Sequence, residues 1–330
     1  MSGQVLASGI NDSFAVIIFA SAVLYGTPLL FAALGELLAE RSGVLNLGVE
    51  GMMLVGAVMG FWAVQRLDAA GGVSLAGALA VAALAGAAMA LIHAFLVITL
   101  RANQIVSGLA LTIFAGAAGL SSYLGNDLDL AGSPADHAFS GLDVLGLGGL
   151  PVLGPIVFDQ SALVYLSWAL VVAIAVYLAR TRPGLNLRAV GESPASADAM
   201  GIDVTAYRYF HTLVGGALAG IGGACFSLQI TPQWVGGLTG GAGWIAVALV
   251  IFAFWRPDLC LVGAYLFGAF SALPSTLQAR GWLTSIPSEV FSSLPYVMTV
   301  VVLVAVASGA AKRRLGAPAA LGIPYVREER

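Results

Sequence analysis

The order of polar and apolar positions divides the chain into long apolar runs separated by short polar joints. No Asp, Glu, Lys or Arg occurs in residues 14–35, 102–126 or 259–279, and none occurs from 209 to 255, a stretch long enough for two membrane passes. A helix needs about 20 apolar residues to cross a bilayer. These runs are rich in Ala, Gly, Leu and Val and lack the alternation of barrel strands, so helix is the spanning structure they predict. Nine segments follow: 13–38, 46–64, 73–99, 103–124, 161–180, 204–228, 241–255, 258–279 and 289–309. The longest linkers are 125–160 and 181–203. Residues 1–11 offer no basic stretch and no small-residue cleavage pattern follows the first apolar run, so the first helix is expected to be retained.

Composition agrees with the pattern. Of 330 residues, 59% are hydrophobic and only 9% charged, against roughly 25% charged in an ordinary soluble domain. The few charges orient the chain, because Lys and Arg gather in cytoplasmic loops. With 181–203 on the cytoplasmic side, Arg41, Arg101, Arg180, Arg182, Arg188, Arg208, Arg256, Lys312, Arg313, Arg314, Arg327 and Arg330 fall inside. Only Arg66 and Arg280 fall outside. This predicts an all-α polytopic membrane protein, a single transmembrane domain over 1–330, with its N-terminus outside and a cytoplasmic tail at 310–330. The loop 125–160, with Asp127, Asp129, Asp136 and Asp143, is then extracytoplasmic and is expected to cap the outer face.

The segments GVLNLGVEGMMLVGAVMGFW (43–62) and GGLTGGAGWIAVALVIFAFW (236–255) share Gly, Leu, Gly, Phe and Trp at matching places. The charge topology runs the first outward and the second inward. That is the relation expected of an inverted repeat of two four-helix halves joined by a fifth helix.

Catalytic and metal chemistry are poorly represented. Cys225 and Cys260 sit inside apolar runs, His93, His137 and His211 are far apart, and no metal-ligand spacing or Ser/His/Asp set is present. The single lysine, Lys312, is not part of a phosphate-binding Gly-Lys-Ser/Thr loop. Any ATP coupling must therefore come from another subunit. The loop RTRPGLNLRAVGESPASADAMGIDV (180–204) carries the clearest local signal. Ser193 suits an N-cap, Pro194 the first helical position, Ala195 to Met200 a short helix, and Gly201 a left-handed stop.

ERSGVLNLGVEGMMLVGA, GLNLRAVGESPASADAMGIDV and the terminal GIPY together resemble the permease subunits of bacterial ABC importers of the branched-chain amino acid and ribose type. The likeness is nearest to the nucleoside subgroup that works with a basic-membrane-protein lipoprotein. It implies a multi-pass protein of the bacterial inner membrane, itself no enzyme, that carries a small neutral solute inward by alternating access. It also implies a second homologous permease, an extracytoplasmic solute-binding protein or lipoprotein, and a separate ATP-binding subunit that holds ATP and Mg. This chain would bind no cofactor or metal of its own. The coupling helix of such permeases maps onto Glu192, Ser193, Pro194, Ala195, Ser196, Ala197, Asp198, Ala199, Met200 and Gly201.

Polar residues at membrane depth are costly and line cavities or pair within the bundle. On that ground Asn46, Glu50, Asn103 and Gln104 are candidates for the solute path, with Glu50 alternatively bonding a glycine-loosened backbone. Trp234 and Trp244 flank the glycine-rich start of the seventh segment and suit stacking on a base, or anchoring at the headgroup level. Trp62 and Trp255 read as such anchors, and His93 and His211 as structural groups. Within the importer reading, a simple sugar or a branched-chain amino acid are the alternatives to a nucleoside. An ion-coupled secondary transporter is the alternative of another class.

Overall fold

The computed structural model describes residues 13–67, 71–116, 118–130, 132, 134–281, 290, 293–308 and 316–327. Residues 1–11, Lys312, Arg313, Arg314 and Arg330, used above for topology, lie outside them. Helix α1 (Phe14–Arg41) is capped by Ser13 and followed, after an irregular turn, by α2 (Val49–Arg66). Next come α3 (Gly71–Ala94), continued by a wide turn Phe95–Thr99, α4 (Gln104–Ala115) and α5 (Leu120–Asp127). After the long loop stands α6 (Ala162–Arg180), then α7 (Arg182–Glu192), α8 (Pro194–Ala199) and α9 (Val204–Cys225) with a wide turn Phe226–Ile230. The last described helices are α10 (Ala242–Phe252), α11 (Pro257–Ala279) and α12 (Leu294–Ser308). Among the described residues, six helical stretches are long and apolar enough to cross a membrane.

Besides helix α7, which the sequence reading had as loop, three elements differ from the sequence expectation. The segment 103–124 breaks near Gly116 and Gly119 into α4 and α5. The segment 241–255 is helical only to Phe252, because Phe254 and Trp255 turn the chain with positive φ (51° and 54°). And the loop 125–160 holds a small antiparallel pair, β1 (Gly141–Asp143) with β2 (Asp159–Ser161). That loop is docked on the chain after α9: the N–H of Phe139 donates to the carbonyl of Leu228 (2.8 Å) and that of Ala135 to Pro232 (2.9 Å).

Helix α9 is the centre of the bundle, packed against α1, α2 and α3. Small residues make this possible. A Cβ added at Gly223 would stand 1.8 Å from the carbonyl oxygen of Met53 on α2, and one at Gly216 would stand 2.6 Å from that of Gly86 on α3. Backbones come close there, with only the Ala90 methyl group beside Gly216, which gains contact where lipid gives no hydrophobic drive for association. The main partner of α3 is α9, and that of α11 is α1, the latter through Gly26 and Gly268.

Candidate functional site

The turn between α1 and α2, Ser42 to Gly48, is irregular yet mostly buried. A buried backbone must find partners inside the protein, and here side chains from three helices supply them. The Leu45 N–H donates to Gln104 Oε1 (2.7 Å), and the Leu45 carbonyl lies 3.1 Å from His93 Nε2. The Asn46 N–H donates to Glu36 Oε1 (3.0 Å), the Leu47 carbonyl accepts from Thr112 (2.9 Å), and the Gly48 N–H donates to Asn46 Oδ1 (3.0 Å). His93 is itself held by Ser107 at 3.0 Å. The polar residues of α1, α3 and α4 thus fix a broken helix in place.

Glu50, in the first turn of α2, reaches across to the start of α10. Its Oε1 accepts from the Thr239 hydroxyl (2.6 Å) and the Gly241 N–H (2.9 Å), and its Oε2 accepts from the Gly243 N–H (2.7 Å). The first N–H groups of a helix have no partner within it, and the positive end of its dipole favours an anion. Glu50 answers both needs of α10 while lying beside the N-terminus of its own helix. The approach needs glycine: Gly240 and Gly241 have φ of +56° and +85°, and a Cβ at Gly243 would stand 2.4 Å from the Glu50 nitrogen. The alignment that matches residue 43 with 236 also matches Glu50 with Gly243.

Beside this junction lies a cavity of about 410 Å³. Tyr25 of α1, Phe226 of the wide turn, Phe270 of α11 and Tyr296 of α12 give it aromatic walls, and Thr239 and Ser271 give it hydroxyls. None of its lining residues is charged. Tyr296 donates its hydroxyl hydrogen to the Gly240 carbonyl, tying α12 to the start of α10. Pro274, also in the wall, cannot donate to the carbonyl of Phe270, one helical turn before it.

The opposite end of the bundle carries α7 and α8. Ser193 caps α8, Ala197 is buried beneath it, and Gly201 has φ of +82°. The helix α7 that precedes it was not foreseen; Thr181 caps it, with Pro183 in its first turn. The chain end 316–327 lies over both. Asp198 accepts from the Tyr325 hydroxyl (2.8 Å) and pairs with Arg327 (3.2 Å). The Ala320 N–H donates to Gly191, the Gly322 N–H to Gly43, and buried Arg208 to the Ile323 carbonyl (3.1 Å). Arg41 joins α1 to this strap, donating to Gly316 and, at 2.8 Å, to the Trp255 carbonyl. Beside α8, Arg101, Asp203 and Thr205 line a polar cavity of about 520 Å³.

The candidates read from sequence fall into separate places. Asn46, Glu50 and Gln104 belong to the broken-helix junction, and Glu50 touches the aromatic cavity through Thr239. Asn103 caps α4 by accepting from Val106 (3.0 Å) and is exposed. Trp234 is buried against Gly125 in a cluster with Phe61, Leu130 and Leu228, and Trp244 is half-buried on α10. Trp255 is no headgroup anchor: it is buried and donates its indole N–H to Glu40. Tyr25, Phe226, Phe270, Ser271 and Tyr296 were missed as cavity residues. Their signal was slight, since an aromatic residue in an apolar helix is usually packing. Among the described residues, no group of three His, Cys, Asp or Glu is placed to hold a metal ion.

Residues 18–306 match the family described as the permease component of branched-chain amino acid transport systems. The chain is 40% identical to a Haloferax volcanii protein provisionally named a glucose ABC transporter permease protein, over 96% of this chain and 99% of that one. It is 34% identical to a nucleoside ABC transporter permease protein of Lactococcus lactis and 34% identical to a guanosine ABC transporter permease protein of Bacillus subtilis. Each of those matches covers 95% of this chain and 98% of the relative.

Proposed function

The chain belongs to the permease-component family of branched-chain amino acid transport systems, and from that premise we propose that it carries a nucleoside inward as half of an ABC importer's translocation unit. As an ABC transporter permease it is a multi-pass membrane protein, and such a transporter works with an ATP-binding subunit and a substrate-binding partner.

The observation that carries the substrate reading is the uncharged, aromatic-walled cavity at the start of α10. Its volume of about 410 Å³ lies within the ~300–1,000 Å³ of small-molecule sites. Four aromatic rings suit a planar base, and the hydroxyls of Thr239 and Ser271 suit a ribose. The nucleoside and guanosine permeases among the relatives support the same substrate class. A zwitterionic amino acid would find neither counter-charge among the lining residues. A hexose is the second reading, favoured by the 40% identity to the glucose relative.

In the nucleoside reading the chain makes nine spans with its N-terminus outside, 125–160 on the extracytoplasmic face and 181–203 on the cytoplasmic face of the bacterial inner membrane. A second, homologous permease completes the unit. A separate subunit binds ATP and Mg and presses on α8, whose small Ala195, Ala197 and Ala199 allow close seating. The test is uptake by vesicles holding the assembled importer. Phe270→Leu is expected to raise the half-saturating nucleoside concentration severalfold while ATP hydrolysis remains. Unchanged nucleoside uptake in that variant, or uptake of glucose in place of nucleosides by the parent, would refute the substrate assignment.

A further inference from the structure

Two carboxyl groups lie buried where α1 meets the turn 42–48. Glu36 and Glu40 stand four residues apart, hence on one face of the helix, and each is 1% exposed. Glu36 Oε1 accepts from the Asn46 N–H of that turn (3.0 Å), and Glu40 Oε2 accepts from the Trp255 indole of the turn after α10. The other two oxygens, Glu36 Oε2 and Glu40 Oε1, are shielded from solvent and meet no donor from another residue. The two carboxyl groups hydrogen-bond each other. A carboxylate has no hydrogen to give, so that bond requires one of the pair to be the acid.

The charged and titratable neighbours do not supply the missing donor. Arg41, next on α1, stands beside Glu40 but donates to the carbonyls of Trp255 and Gly316, and its Nε reaches neither carboxyl group. Cys260 of α11 is buried near Glu40, Arg208 of α9 donates to the Ile323 carbonyl, and Arg188 and Glu192 of α7 stand near Arg41. Among the described residues no Lys, Arg or His forms an ion pair with either carboxyl group. Two like charges at hydrogen-bonding distance in a buried site do not both persist. Arg41 and the indole N–H favour the charge on Glu40, which leaves the hydrogen on Glu36.

We propose that Glu36 and Glu40 form a proton-binding site, in which Glu36 holds one proton, donates it to Glu40 and so ties the turn before α2 to the turn after α10. The pair is closed to solvent, so the proton leaves only when the two turns part. Parting and proton release are then one event, and alkaline conditions favour the parted form. The proton site is independent of which solute the permease carries.

The test begins with infrared spectra of the purified permease at neutral pH. The parent is expected to show the carbonyl stretch of a buried carboxylic acid, Glu36→Gln to lose it and Glu40→Gln to keep it. A folded chain that keeps a proton which the unfolded chain gives up loses stability as pH rises above the ordinary carboxyl range. Thermal unfolding of the parent is therefore expected to move to lower temperature toward alkaline pH. Glu36→Gln, whose amide donates to Glu40 in place of the acid, is expected to unfold with the parent at mildly acid pH and to flatten that decline. In vesicles holding the full importer, uptake per ATP hydrolysed is expected to fall severalfold over the same range in the parent and to fall less in Glu36→Gln. No acid band in the parent, a band that survives Glu36→Gln, or an equally steep decline in that variant would each overturn the proposal. Failure of Glu36→Gln to fold would overturn it too, since the amide keeps both hydrogen bonds of the acid. So would stabilisation of the parent by Na+ or K+ at fixed pH that Glu36→Gln abolishes, which would place a metal cation between two carboxylates.

Discussion

Glu50 offers the sharpest separation between a structural and a solute-contacting role. Its carboxylate accepts two backbone N–H groups and one hydroxyl at 2.6–2.9 Å. Glu50→Ala strands both N–H groups at the buried start of α10, while the Thr239 hydroxyl can rotate toward another acceptor. At about 1–3 kcal/mol for each stranded donor, with about 0.3–1 kcal/mol for the lost anion at the helix N-terminus, the cost is roughly 2–7 kcal/mol. Glu50→Gln keeps one acceptor oxygen but turns an NH2 group toward an N–H, and is expected to lose about half as much. The assay is thermal unfolding of the detergent-purified permease, read by tryptophan fluorescence, beside uptake by the assembled importer. Stability and uptake are expected to fall together in the order parent, Gln, Ala. A Gln variant as stable as the parent but inactive would place Glu50 on the solute path. A Gln variant indistinguishable from the parent in both measurements would show that three donors do not converge on a carboxylate.

Other substitutions test the remaining contacts. Gly223→Ala places a methyl group 1.8 Å from the Met53 carbonyl oxygen, whereas one at Gly72 meets nothing within 4 Å. The first is expected to lower stability by about 1–3 kcal/mol or more and the second to leave it unchanged, by the same unfolding assay. Gln104→Leu removes the acceptor of the half-buried Leu45 N–H and is expected to cost about 1–3 kcal/mol, while Asn103→Ala removes an exposed helix cap and is expected to cost about 0.5–2 kcal/mol. Trp255→Phe deprives buried Glu40 of its indole donor, with an expected loss of about 1–3 kcal/mol. Asp198→Asn combined with Tyr325→Phe loosens the strap at its partly exposed end. The expected result is nearly unchanged stability with ATP hydrolysis no longer matched by uptake.

How much of this could be read from the chain depends on how local the cause is. The α8 cap was legible because Ser193, Pro194 and Gly201 each act on their own backbone. The helical segments were legible because hydropathy is a property of a stretch. Helix α7 was not, because RPGLNLRAVGE has little apolar character and its order comes from packing of Leu187 and Val190 beneath the strap. The premature end of α10 was hidden for a similar reason: Trp255, in the positive-φ turn that follows it, is held by bonds to Glu40 and Arg41, more than 200 residues away in sequence. Asn46 and Glu50 stood out as polar groups at membrane depth, but which atoms they meet depends on the far half of the chain.

That dependence also joins the two ends of the molecule. The turn 42–48 accepts the strap at one side, through the Gly43 carbonyl and Gly322, and at the other positions Asn46 and the start of α2, from which Glu50 holds α10. Helix α10 in turn lines the aromatic cavity, and the turn after it ends at Trp255, whose carbonyl accepts from Arg41 beside the strap. A displacement of α8 is therefore expected to be resisted at Asp198 and passed through Gly43 and Arg41 to both ends of α10, along hydrogen bonds in which the Asp198, Arg41 and Glu50 side chains take part. Soft side-chain packing alone would let such a displacement dissipate. The backbone pair of Gly322 with Gly43, and the side chains of Arg41, Asn46 and Glu50 held on backbone groups, offer it a defined path between the face that carries α8 and the cavity.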